Sequence, residues 1–190
     1  MITYSRKDLI HWNYFIALEK DLENISRYIE FTKDNEDTYS IELAKILMSA
    51  SSETDVLLKM ICNIYGVKAD NINKYRKCSR ENFPELADEE VFINRFTMSF
   101  MPWINWKGND DTNPDWWKSY NKVKHHRNDS YNQANLKNVI NSVGALLICT
   151  VYYYKLIGGL SFKDTTRQLI PNSNLYDLKS EYYNANLITE

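Results

Sequence analysis

The part of this sequence best suited to chemistry is a short run of cationic side chains. We call residues 118–127 the basic segment, and its basic side chains are Lys118, Lys122, Lys124, His125, His126 and Arg127. Three lysines and one arginine give the segment a local charge of +4 before either histidine is counted, and no acid interrupts it. Lys118, Lys122 and His125 are spaced by four and three residues, so on a helix they share one face.

These residue types predict a site that binds or cleaves a phosphodiester. Arginine offers a planar fork that suits phosphate, and histidine exchanges protons near neutral pH. Metal-independent RNA cleavage needs a base for the 2′-hydroxyl, an acid for the leaving group and a cation for the developing charge. His125, His126 and Arg127 could supply them, and Glu53 could orient Arg127 from a neighbouring helix. The remaining candidates would bind RNA phosphates: Lys118, Lys122, Lys124, Asn128 and Asn132.

A purely structural interpretation of the same residues stays open. Basic residues are favoured in the last turn of a helix, where they complement its dipole, and Asn and Asp are favoured in turns. Glu53 lies in the small, polar stretch 49–55, where solvent exposure alone would explain it. The capping account does not explain why two of only three histidines precede Arg127.

Other catalytic signatures are missing from the sequence. It contains no GxGxxG, P-loop, HExxH or GxSxG motif, so we expect no cofactor. Neighbouring helical residues point about 100° apart, so His125 and His126 make a poor metal pair and we expect no metal. Cys62, Cys78 and Cys149 are far apart in sequence and form no CxxC, and Cys62 and Cys149 are typical of core positions.

The composition predicts one globular domain spanning residues 1–190. Apolar residues make up 44% and charged residues 25% of the chain, and the net charge of −2 excludes a globally basic nucleic-acid binder. The N-terminus has no apolar region of the signal-peptide kind. The most apolar stretch, residues 143–157, is predicted to be too short and too polar to span a bilayer. We therefore expect a reduced, cytoplasmic protein without a membrane partner.

Apolar periodicity predicts a mainly all-α fold, an antiparallel bundle of four to five helices. The first helix is expected over residues 7–32 with one apolar stripe: Ile10, Tyr14, Leu18, Leu22, Ile25 and Ile29. The second is expected over residues 39–65, ended by Gly66 and paired with the first as an antiparallel hairpin. The third is expected over residues 114–126, capped by Asn113. The fourth follows a capping box formed by Ser130 and Gln133, and ends at Gly158-Gly159.

Between the second and third helices, residues 66–112 are predicted to be an insertion. Its first part is polar and turn-prone, and alternation at Phe92, Phe96, Met98 and Phe100 predicts a short β-ribbon. Four of the five tryptophans, at positions 103, 106, 116 and 117, lie at the end of the ribbon or the start of the third helix. They would either anchor the insertion to the bundle or form an exposed ligand platform. Residues 160–190 are expected to be a C-terminal packing tail with a short strand or loop.

Residues 116–147, with this helical scaffold, resemble the HEPN superfamily of helical-bundle proteins. HEPN ribonucleases carry an Arg, often followed by a polar residue such as Asn, and a His four to six residues further on. Arg127-Asn128 matches the first half of that motif, and Asn132 occupies the position of the family's His. Either His125 or His126 replaces the family's His from the other side of Arg127, or the protein binds RNA without cleaving it.

The resemblance implies an RNA-binding protein or metal-independent ribonuclease of a bacterial or phage-related defence, stress or toxin–antitoxin system. It also implies a homodimer that brings two Arg-bearing turns together. The alternative is a catalytically silent dimeric interaction module, antitoxin-like or a scaffold for a protein partner, suggested by Asn132 and by the dense aromatic content. A third possibility is a nucleotide-binding protein in which the basic turn holds a small phosphate.

Overall fold

A computed structural model describes residues 9–108 and 110–178 of the chain. Within them the fold is mainly helical, with seven α-helices and a small antiparallel sheet of three strands. The helices are α1 (Ile10–Ile25), α2 (Ile41–Ile64), α3 (Ile72–Asn82), α4 (Asp115–His125), α5 (Arg127–Ser130), α6 (Leu136–Gly158) and α7 (Phe162–Gln168). The strands are β1 (Val91–Ile93), β2 (Met98–Phe100) and β3 (Asp177–Leu178). The predicted all-α class with a small β element is thus confirmed in outline, although α5 is only one turn long.

The two long helices α2 and α6 form the centre of the fold and pack along each other. α2 begins where the Ser40 hydroxyl accepts a hydrogen bond from the Leu43 amide, and it ends before Gly66, whose φ of +75° suits glycine. α6 ends at Gly159, which adopts the left-handed conformation. Both predicted glycine stops are therefore confirmed. The predicted capping box is wrong, because the side chain of Asn135 caps α6 instead.

Helix α6 is long and apolar enough to cross a membrane by length and composition. It has 23 residues and a mean hydropathy of 1.4 in its most apolar window, of which 72% is buried inside the protein. The expectation that this stretch is too short is therefore wrong. Its burial against α1, α2, α4 and α7 is that of a core helix.

Helix α1 is shorter than predicted and buries a different face. It ends at Ile25 rather than near residue 32, and Ile10 and Tyr14 of the predicted stripe are exposed. The buried residues are Trp12, Phe15, Leu18, Glu19 and Leu22. The large rings at positions 12 and 15 turn this face inward because they gain more from burial than Ile10 and Tyr14 would.

The stretch 66–112 contains more regular structure than predicted. Its polar first part forms α3, which was expected to be turns. The alternating residues do not form one strand, because a tight turn with Thr97 in the left-handed conformation separates β1 from β2. The chain's C-terminal part supplies β3, which pairs antiparallel with β1, so that the strand order is β2-β1-β3. The β-ribbon is thus part of a sheet that the tail completes.

The four tryptophans form a buried cluster that holds this stretch to α4. The ring centroids of Trp103 and Trp106 lie 4.4 Å apart, and those of Trp103 and Trp116 lie 5.1 Å apart. The indole N–H of Trp116 donates to the carbonyl oxygen of Pro102 at 2.9 Å. All four side chains are buried. The anchoring role is therefore confirmed, and the exposed ligand platform is wrong.

The stretch after α6 contains the helix α7 and the strand β3. A short strand or loop was expected there, and the helix was not. Glu19 of α1 is buried, and its carboxylate accepts hydrogen bonds from the amides of Asn174, Leu175 and Tyr176 and from the hydroxyl of Ser173. The carboxylate therefore ties the turn before β3 to α1 and satisfies the buried Leu175 amide. Residues 160–178 of the predicted tail thus pack on the rest of the fold, and residues 179–190 lie outside the described range.

Candidate nucleic-acid interface

Helix α4 presents the basic segment to solvent because its other face is fully used in packing. Its buried residues are Trp116, Trp117, Ser119, Tyr120 and Val123. Lys118, Lys122, Lys124 and His125 are consequently exposed. Lys122, Lys124 and His125 lie in the last turn of α4, as the capping interpretation predicts. The predicted N-cap is wrong, because Asn113 instead accepts a hydrogen bond from Arg76 at 2.6 Å, and Pro114 occupies the cap position.

The change of direction after α4 is made by the backbone at His126. Its amide closes the last turn of α4 onto the carbonyl of Lys122 at 2.7 Å. Its own carbonyl then accepts from the amides of Asp129 and Ser130, which begins α5. The side chains of His126, Arg127 and Asn128 take no part in these bonds and are exposed. The turn therefore positions them without using their functional groups.

Arg127 and Asn128 border an open groove of about 860 Å³ between α5 and the first half of α2. We call it the α2–α5 groove. Its lining residues are Ile41, Ala44, Lys45, Met48, Ser49, Arg127, Asn128 and Tyr131. The walls therefore combine an apolar surface with one cation from each side. Lys45 was missed at the sequence level, because it lies some eighty residues before the basic segment and no local motif marks it.

The positive charges around the groove are largely uncompensated. Among the described residues, no carboxylate lies within ion-pair distance of Lys122, Lys124 or Arg127, whereas Lys118 pairs with Asp115 at 2.9 Å. The Lys124 ammonium lies 5.4 Å from the ring centroid of Tyr120, a cation–π distance. Lys45 pairs with Glu42 at 2.8 Å, and the hydrogen bond between them raises the pKa of Lys45. The site thus keeps a net positive charge that an anion could neutralise.

The structure does not bring the other candidate residues into the groove. His125 and His126 are exposed at the end of α4 and are not part of the lining, and Asn132 is exposed in the next turn. Glu53 forms a hydrogen bond with His11 of α1, its carboxylate oxygen lying 2.5 Å from Nδ1. The hypothesis that Glu53 orients Arg127 therefore has no contact to support it among the described residues. Arg127 and Asn128 are the predicted pair that share one surface.

The cysteines and the other possible metal ligands form no additional site in the described part of the chain. Cys62, Cys78 and Cys149 are buried free thiols, and burial raises the pKa of each. Both cysteines predicted to be core residues are therefore confirmed as such. No three His, Cys, Asp or Glu side chains of the described residues cluster closely enough to hold a metal ion.

Comparison with protein-family models, with curated proteins and with solved structures finds no match for this chain.

Proposed function

We propose that this protein binds single-stranded RNA through the α2–α5 groove. The observation that carries the proposal is the placement of Lys45 and Arg127 on opposite walls of one open groove with an apolar surface between them. Such a surface suits a chain of nucleotides, because the cations neutralise phosphates while apolar and aromatic side chains cover the bases. Lys122 and Lys124 extend the positive charge along α4.

The proposal is tested by fluorescence anisotropy with a labelled single-stranded RNA. Arg127→Gln should weaken binding about tenfold, as expected for the loss of one charge-assisted hydrogen bond. Lys45→Gln should weaken it less, because Lys45 already has a partner in Glu42. Lys59→Gln is the matched control, since Lys59 is exposed on the same helix but is not part of the groove. Equal affinities for Arg127→Gln and Lys59→Gln would remove the groove from consideration.

Salt dependence gives a second measure of the same contacts. For single strands, the logarithm of the affinity falls by about 0.7 per log unit of salt for each phosphate neutralised. The double variant Lys122→Gln, Lys124→Gln should therefore flatten the salt dependence, whereas Lys59→Gln should leave it unchanged. A salt response already flat in the wild type would contradict the phosphate role.

Binding rather than cleavage is the activity that the geometry supports. The groove holds Arg127 but neither histidine, so it contains a group for the phosphate charge without the histidine proton donor or acceptor that the sequence predicted. We expect mixed RNA to stay intact with and without EDTA. Cleavage that is lost in both Arg127→Ala and His126→Ala would instead establish the HEPN-like ribonuclease. The bacterial or phage-related defence setting and the cytoplasmic location stay predictions.

One observation favours the second candidate function, a dimeric interaction module. Helix α2 has three exposed apolar side chains, with Ile41 beside the α2–α5 groove and Val56 and Ile64 in its second half. Light scattering over a range of protein concentrations tests for the dimer. Val56→Asp should disrupt it, and Lys59→Asp, on the same helix, is the control. A mass equal to one chain at every concentration would count against this candidate.

A further inference from the structure

Two arginines of α3, Arg76 and Arg80, lie beside a cavity on the stretch that carries the sheet, away from the α2–α5 groove. A cavity of about 340 Å³ lies against this face of α3 and is lined by Asn73, Arg76, Lys77, Arg80, Glu81 and Asp111. Three of these six residues are cations and two are acids. The lining therefore carries an excess of one positive charge. Which ligand can bind in the cavity depends on the arrangement of its hydrogen-bond donors.

The two arginines converge on one point. Arg76 Nη2 lies 2.9 Å, and Arg80 Nη1 lies 3.8 Å, from the same oxygen of Asp111. Other donors of both guanidinium groups have partners of their own. Arg76 Nη1 donates to the amide oxygens of Asn73 and Asn113, and Arg80 donates to the backbone carbonyls of Trp106 and Asp110. The two groups are therefore held in place whatever occupies the point of convergence.

Asp111 is a poor permanent occupant of that point. Its side chain is 86% exposed, whereas that of Arg76 is 7% exposed, so the carboxylate reaches inward from solvent to a buried cation. The pair gains less than one in which both groups are buried, because the carboxylate keeps most of its contact with water. The surrounding chain does not depend on it, because Asn113, Thr112 and the carbonyls of Trp106 and Asp110 make separate hydrogen bonds. The Asp111 side chain can rotate into solvent while these bonds persist.

We propose that Arg76, Lys77 and Arg80 bind a phosphate monoester and that the Asp111 carboxylate occupies its place when the ligand is absent. A phosphate dianion carries more charge than a carboxylate and offers three oxygens to the converging donors. Lys77 is exposed and lies 3.9 Å from Glu81, so its ammonium can turn to the ligand at small cost. Glu81, on the rim, opposes a second anion and limits the site to one phosphate.

The experiment is an NMR titration of the ¹⁵N-labelled protein with inorganic phosphate and, separately, glycerol 3-phosphate, at constant ionic strength. Asp111→Asn removes the competing charge and keeps the shape, so both anions should bind about two- to fivefold more tightly than to the wild type. In the Asp111→Asn background, Lys77→Gln should weaken binding by a similar factor and Arg80→Gln should abolish it. Tighter binding of glycerol 3-phosphate than of phosphate would identify an esterified ligand, and equal binding would identify phosphate itself.

The result that overturns the proposal is an Asp111→Asn variant that binds neither anion more tightly than the wild type. If Arg80→Gln fails to fold, Lys77→Gln still tests the site. Lys77 is exposed, and its ion pair among the described residues is with Glu81, so its replacement should leave the fold intact. Arg127→Gln separates this site from the RNA groove. Phosphate binding that disappears with Arg127→Gln but persists with Lys77→Gln would place the anion in the α2–α5 groove and reject the α3 site.

Discussion

His11 and Glu53 join the first turn of α1 to the middle of α2 through a hydrogen bond of 2.5 Å. The pair is largely shielded, with 12% and 17% of the two side chains exposed, and the ring of Tyr153 on α6 packs edge-on against His11 at 5.2 Å. The His11–Glu53 pair therefore connects α1 with α2, and His11 also contacts α6. The role of Glu53 in the structure is to hold α1 in place, at a distance from the basic segment that the sequence associated with it.

Replacing Glu53 should consequently affect stability and leave RNA binding alone. Glu53→Gln weakens the bond to His11, and we expect it to lower the free energy of unfolding by about 0.5–1.5 kcal/mol. Urea denaturation measures the loss, and a double-mutant cycle with His11→Gln isolates the pair. A Glu53→Gln variant of unchanged stability that no longer binds RNA would restore the original hypothesis that Glu53 serves Arg127.

Glu19 should be among the most sensitive positions of the fold. Glu19→Ala removes the carboxylate acceptor of the Asn174, Leu175 and Tyr176 amides. The buried Leu175 amide loses its acceptor, which costs about 1–3 kcal/mol, whereas Tyr176 keeps the Ser173 hydroxyl and Asn174 is exposed to water. We expect a total loss of about 2–4 kcal/mol, since water can reach part of the turn once it loosens. Hydrogen exchange should show lost protection at Leu175 and Tyr176 before the rest of the chain. Full protection at both amides in Glu19→Ala would contradict this role.

A glycine of α6 fits closely under the sheet. A Cβ atom added at Gly144 would lie 2.8 Å from Cε2 of Phe100 in β2, so the ring would have to move. We expect Gly144→Ala to destabilise the protein by about 1–3 kcal/mol through overpacking, despite the better helix propensity of alanine. Thermal or urea unfolding measures it. The control is Phe100→Leu, Gly144→Ala, in which the smaller side chain should recover part of the loss, and strictly additive effects would refute the contact.

The three buried thiols should be inert in the folded protein. Burial raises the pKa of Cys62, Cys78 and Cys149, so the reactive thiolate is rarer at any given pH than in the unfolded chain. At pH 8, a thiol reagent should modify all three rapidly in urea and only slowly in native buffer. Raising the pH increases the thiolate fraction, so labelling of the native protein should become faster until the rate of unfolding limits it. Rapid labelling of one thiol in native buffer would show that its surroundings open locally.

The sequence predicted the central helices well and the peripheral elements poorly, for physical reasons. α2 and α6 are buried along wide apolar faces and are ended by glycines in the left-handed conformation, which are signals local to each helix. α3 was missed because its inward side includes Arg76 and Ser79, whose burial depends on partners in a distant part of the chain. Within the candidate site, Arg127 and Asn128 could be chosen from their own neighbourhood. Lys45 and the partner of Glu53 could not, because the first depends on how α2 lies against α5 and the second on how α1 lies against α2.

The pairing of β3 with β1 has a consequence for the newly made chain. β1 is the central strand, and until Leu178 reaches Val91 one of its edges has no partner. Most of the chain must therefore be synthesised before the sheet can close, and an open strand edge is a template for association with other chains. A nascent or truncated chain that lacks β3 would carry this edge exposed. Glu19, which draws the preceding turn onto α1, thereby helps to bring β3 to the open edge of β1.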